Sequence, residues 1–107
     1  MQHNQQCTLV TLTASGATVS RKETTVFCGK KSVAYKEFYA AIEAGLNPTY
    51  IFEFDIDDYE SSFIRITNED QTVTVNRPTE LIFEGEKFNI IRTFEPVGHQ
   101  IEVTVGL

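Results

Sequence analysis

Between Val26 and Ile56 the chain reads VFCGKKSVAYKEFYAAIEAGLNPTYIFEFDI, and its hydrophobic period changes partway through. Tyr35, Phe38, Tyr39, Ile42 and Leu46 recur at i, i+3, i+4, i+7 and i+11, the spacing of one helical face. From Thr49 the period drops to two. Tyr50, Phe52, Phe54 and Ile56 alternate with Ile51, Glu53 and Asp55, as in a half-buried strand whose second face is mostly polar. This is the only helical pattern in the sequence, so one α-helix is expected, at about Val33–Gly45, in a chain that otherwise reads as β. Ser32 supplies an N-cap hydroxyl and Glu37 suits the positive end of the helix dipole. Gly45 offers a left-handed cap, and Pro48 stops the helix from continuing. One amphipathic helix cannot cover both faces of a sheet. It is expected to plug one end of a barrel or to project toward a neighbour, which makes Tyr35, Phe38, Tyr39 and Ile42 candidate interface residues.

The β segments are short and separated by turn residues. Thr8 to Thr13 alternates, with Val10 and Leu12 facing one way and Cys7 and Leu9 the other, and Ser15-Gly16 supplies a turn. The Thr-rich segment from Ala17 to Thr25 leads into a second strand around Val26 to Cys28, which Gly29-Lys30-Lys31 is expected to break or bulge. The acid run Asp55-Ile56-Asp57-Asp58-Tyr59-Glu60 lacks the glycine and the final glutamate of a calcium loop and reads as a solvated turn. Phe63 to Thr67 and Gln71 to Val75 form a candidate hairpin around Asn68-Glu69-Asp70, ended by Pro78. A second hairpin joins Leu81 to Phe83 and Phe88 to Phe94 around Glu84-Gly85-Glu86-Lys87. Parity places Arg92 on the face of Phe88, Ile90 and Phe94, where a charge needs a carboxylate or an exit to solvent. Arg92 is therefore a fifth candidate interface residue. After Gly98 the stretch from Gln100 to Val105 alternates with Ile101, Val103 and Val105 inward. The sum is a mainly β protein, a small barrel of about six to eight short antiparallel strands with one helix, in a single domain over residues 1–107.

Composition narrows the function. The 107 residues carry 15 acidic against 9 basic side chains, a net charge of −6, which argues against high-affinity wrapping of nucleic acid. An acidic wall does suit a conduit through which DNA slides without sticking, although solubility alone accounts for such a charge. Cys7 and Cys28 read as small buried hydrophobes. No Cys-x-x-Cys or His-x-x-His spacing is present, so no metal and no cofactor is expected. The charged residues are spread over turns, without the convergent set that an enzyme needs. No apolar run approaches a membrane span and MQHNQQ lacks the pattern of a secretory signal, so the protein is expected in a cytosol or in something assembled there.

Val26-Phe27-Cys28 with Lys31-Ser32-Val33, then Glu37-Phe38-Tyr39, Gly45-Leu46 with Pro48, Phe52, Asp58-Tyr59, Glu84-Gly85, Ile90-Ile91-Arg92-Thr93-Phe94 and Ile101-Glu102-Val103-Thr104 form an ordered set spanning nearly the whole chain. In that order they resemble the head-closure proteins of long-tailed bacteriophages, also called head-completion, stopper or head-tail joining proteins. The resemblance implies a small β-barrel without catalysis, whose copies form a dodecameric ring beneath the portal and its adaptor. Such a ring seals the DNA-filled head, docks the tail or its terminator protein, and lets DNA pass without sequence-specific contact. It would be assembled in the host cytoplasm and reside in the virion. The segment from Phe63 to Thr79 is longer than this family usually carries at that place and reads as an extra hairpin on the ring's rim. The alternative is a small β-barrel binding or inhibitor module, OB-like in kind, which should gather basic and aromatic residues on one sheet face.

Overall fold

The computed structural model describes residues 4–15, 18–32, 48–95 and 98–106. Its strands are β1 (Gln5–Ser15), β2 (Thr18–Ser32), β3 (Pro48–Asp55), β4 (Ile64–Thr67), β5 (Val73–Asn76), β6 (Glu80–Phe83), β7 (Glu86–Phe94) and β8 (Gln100–Gly106). One short helix, α1 (Ile56–Ser61), stands among the described residues. The helix expected over 33–45 lies outside them, and Tyr35, Phe38, Tyr39 and Ile42 with it.

Six strands close on themselves in the order β1-β2-β3-β8-β7-β6, each antiparallel to its neighbours, while β4 and β5 form a separate ribbon. Alternation supplies the inner wall. Leu9, Phe52, Phe54, Phe88, Val103 and Val105 are all at most 2% exposed. They share one core with Cys7, Cys28, Leu81 and Ile101. A ring of this size is filled by side chains rather than hollow, and each buried aromatic contributes roughly 1.5–3 kcal/mol relative to leaving it in water. Tyr50, Phe52, Phe83 and Phe88 pack edge-on or tilted at one end, with ring centroids 5.1 to 6.4 Å apart.

β2 does not stop at Gly29-Lys30-Lys31. It runs through them, pairing with β1 up to Cys28 and then with β3, where Gly29 faces Glu53 and Lys30 faces Phe52. The ladder offered by β3 overrides the break expected at a glycine followed by two lysines. The lysine pair, which by residue type reads as a solvated turn, instead takes opposite faces of the strand. The Lys30 ammonium lies 4.3 Å from the Tyr50 ring centroid and 5.0 Å from that of Phe83, and Lys31 pairs with Glu102. Because β1 meets β6 only at Thr8 to Val10, and β2 meets β3 only from Gly29 on, the rest of the β1–β2 hairpin projects beyond the ring.

The acid run after β3 is a helix, not a solvated turn. Asp55 caps it, its Oδ1 accepting from the Asp57 N–H at 2.8 Å, and Asp57 and Asp58 sit in the first turn, where the dipole favours carboxylates. Its one buried side chain, Tyr59, packs on Phe54 and Phe63 with centroids 6.0 and 5.0 Å away. This closes the end of the ring opposite the Tyr50 and Phe88 pair. Ser62, fully buried, follows the helix, and its carbonyl accepts from the Thr11 hydroxyl at 2.7 Å.

Register also overturns the expected face of Arg92. Ile90 faces Val105 and Arg92 faces Thr104, so Ile91 is an extra residue on β7. Such a bulge exchanges the two faces downstream of it. Phe88 and Ile90 point into the core, whereas Arg92 and Phe94 point out, Phe94 being 59% exposed. The two expected hairpins are present. β4 and β5 flank residues 68–72, where the Asn68 side-chain amide donates to the hydroxyls of Thr72 and Thr74. β6 and β7 are joined by Glu84-Gly85, whose φ values of 52° and 79° suit a two-residue turn of the primed kind.

Candidate functional site

Arg92 is the one candidate interface residue among those described, and it stands on the outer face of the closed sheet. With Thr93, Phe94, Glu102 and Thr104 it lines an open groove of about 320 Å³. Pairing builds this groove. Arg92 faces Thr104 and Phe94 faces Glu102 across β7 and β8, and the Glu102 carboxylate is held from the far side by Lys31. An apolar ring beside a fixed charge pair offers contact to a polypeptide surface.

A second group gathers at the end closed by α1. Phe63 follows the helix, with its N–H bonded to the Glu60 carbonyl at 3.1 Å. From β2, the Lys22 ammonium donates to the carbonyls of Ser61 at 2.8 Å and Phe63 at 3.3 Å, satisfying acceptors that the helix end leaves open. In the β4–β5 ribbon Arg65 faces Val75, which brings Arg65 close to Arg77 just past the strand end. The two guanidinium carbons lie 5.7 and 5.5 Å from the Phe63 ring centroid, in cation–π range. Elsewhere on the described surface Arg21 meets Glu23 and Glu80, Lys31 meets Glu102 and Lys87 meets Glu80, while Lys30 lies on the rings of Tyr50 and Phe83. Lys22, Arg65 and Arg77 form no ion pair with any described carboxylate. They come from three separate elements and converge only through the fold, so sequence reading missed them. The local hint was Phe63 and Arg65 two apart on one strand face, with Arg77 held next to Pro78.

A third group joins β3, α1 and the start of β8. His99 Nε2 lies 3.0 Å from Asp57 Oδ2 and 3.9 Å from Asp55 Oδ1, and the His99 carbonyl accepts from the Ile56 N–H. The hydrogen bond with Asp57, reinforced by the charges of Asp57, Asp55 and Glu60, raises the imidazole pKa above its ordinary value. One donor atom from each of the three residues falls within 4.8 Å of the others. Asp57 and His99 are exposed and Asp55 half-buried, and the three already satisfy one another, an arrangement that a capped helix end with a surface ion pair explains in full.

Cys7 and Cys28 lie on adjacent strands inside the ring, Cys7 facing Val26 and Cys28 facing Gln5, so the two are offset by two residues and are diagonal neighbours on one face. Their thiols share a hydrogen bond, which together with burial pushes the Cys7 thiol far up. Enclosed in the ring, the pair serves as packing, and the Cys7 thiol stays protonated. Neither a protein-family model nor the sequence of a curated protein matches the chain.

Proposed function

We propose that the protein is a structural component of a phage neck, one subunit of a ring that closes the DNA-filled head under the portal and adaptor and presents a docking surface to the tail. The observation that carries this reading is the coincidence of two independent features. The ordered motif set runs through nearly the whole sequence. The fold that the resemblance implies, a small β-barrel, agrees with the closed six-stranded sheet. The β4–β5 ribbon corresponds to the extra hairpin expected between Phe63 and Thr79, standing outside the closed sheet as a rim element would. The acidic balance suits a channel that DNA leaves freely.

The test is an amber mutation of this reading frame in a phage that produces it. Leaking, tailless heads beside free tails are the expected outcome. Filled heads that keep their DNA and carry tails would remove the assignment.

A further inference from the structure

Lys22, Arg65 and Arg77 are three cations without a carboxylate partner among the described residues, gathered about one phenylalanine, on a chain whose net charge is −6. Desolvating them against nothing would be unfavourable, and leaving them in water wastes a planar pair of guanidinium groups suited to carboxylates. The same surface holds an opposite arrangement at the other end. β3 runs from Pro48, facing Gly106, to Asp55, where α1 begins, and β7 starts beside Gly106 through Asn89. The Glu84-Gly85-Glu86 turn therefore sits at the end of the ring remote from Phe63. Glu84 and Glu86 are exposed and form no ion pair with a described residue. Lys87 is drawn to Glu80, and Lys30 is turned onto the rings of Tyr50 and Phe83. The turn is rigid, because both its residues hold positive φ between two hydrogen-bonded strands.

We infer that the Lys22, Arg65 and Arg77 cluster of one subunit receives the Glu84-Gly85-Glu86 turn of a second copy of this chain. The carboxylates of Glu84 in the turn and Glu86 at the start of β7 can each meet one guanidinium, and Phe63 between the arginines fixes their planes. Glu95 and Arg77 both act on Tyr59 at this end, with no ion pair between them, while Asp55 and Asp57 are engaged with His99. Donor and acceptor faces lie at opposite ends of the subunit, so the contact is heterologous. Copies add in one direction and close into a ring when the rotation per copy permits. The inference deepens the ring reading above and rests on it for its setting, whereas the contact itself is a property of the purified chain.

Charge reversal tests it. Sedimentation velocity on the wild-type chain, up to millimolar concentration, should show self-association at about 0.01 M salt that weakens toward 1 M as screening shortens. Arg65→Glu with Arg77→Glu, and separately Glu84→Lys with Glu86→Lys, should each raise the half-association concentration about tenfold or more, since like charges then face one another. Mixing the two variants should restore association, which also demonstrates that both are folded. Wild-type protein that stays monomeric throughout, reversal variants that associate as wild type does, or mixtures that fail to recover would each overturn the contact. So would loss of duplex-oligonucleotide binding in the arginine variant with self-association unchanged, since the cluster would then be a phosphate site. The ring reading stands or falls separately, on the amber mutant.

Discussion

The hydroxyl of Thr11 donates to the carbonyl of Ser62 at 2.7 Å, and both residues are fully buried. One bond thus fastens the closing helix to the wall of the ring. Thr11→Val keeps the shape and removes the donor, leaving a buried acceptor unsatisfied, so unfolding free energy should fall by about 1–3 kcal/mol. Thr11→Ser should retain most of it. Denaturant melts of the two variants check this, and equal loss in both would point to the methyl group instead of the bond.

Phe52 touches Tyr50, Phe83 and Phe88, and it is 0% exposed. Phe52→Ala should cost about 3–5 kcal/mol through lost burial and the cavity left behind. Phe27, on the outer face of the neighbouring strand, is 57% exposed. Phe27→Ala should stay within about 0.5 kcal/mol. Thermal unfolding of the pair measures the contrast between the two faces of the sheet.

Deleting Ile91 removes the extra residue that separates Ile90 from Arg92 in register. Arg92 would then follow Ile90 directly and still face Thr104 on the outer side, so no charge is buried and the loss should stay at about 1 kcal/mol. Arg92→Ala in the intact strand should cost about 0–1 kcal/mol, because the guanidinium is at the surface. Chemical denaturation of the deletion and of the substitution checks both, and a loss above about 3 kcal/mol in the deletion would mean that a charge had been buried.

His99 gives the fold a pH-dependent contribution. Its folded pKa is raised above the unfolded value, first by the hydrogen bond to Asp57. The stabilisation is therefore fully present below the unfolded pKa and disappears as pH rises through the folded one. His99→Gln should flatten that part of the stability profile. Asp70 has the reverse sign, since the Thr72 hydroxyl and N–H lower its pKa. Its contribution holds above the unfolded pKa and fades as pH falls through the folded one. Imidazole proton shifts followed by NMR, beside melts across the same range, separate the two.

The elements readable in advance were those fixed by local information. β8 alternates without interruption, and β6 and β7 flank a glycine turn, so period and turn chemistry agree. α1 was not readable. Six residues with one buried side chain show no period, and what holds them helical is the Asp55 cap and the packing of Tyr59 against Phe54 and Phe63. The bulge at Ile91 was invisible because register belongs to the partner strand. Parity counted along β7 alone put Arg92 inside. The same limit hid the basic cluster, whose members meet only when β2, the α1 end and the ribbon are brought together.

β2 belongs to two structures at once, the hairpin that projects beyond the ring and, from Gly29 on, the ring itself. No loop intervenes between its two roles. A load placed on the projecting part travels along an unbroken backbone into the wall, where it meets the β2–β3 ladder lengthwise. Bonds loaded in this way share the force and yield together rather than peeling apart one by one. The hairpin is thus mechanically a lever arm cast in one piece with its bearing, braced on one flank where Thr11, Thr13 and Lys22 meet Ser62, Asn76 and the end of α1.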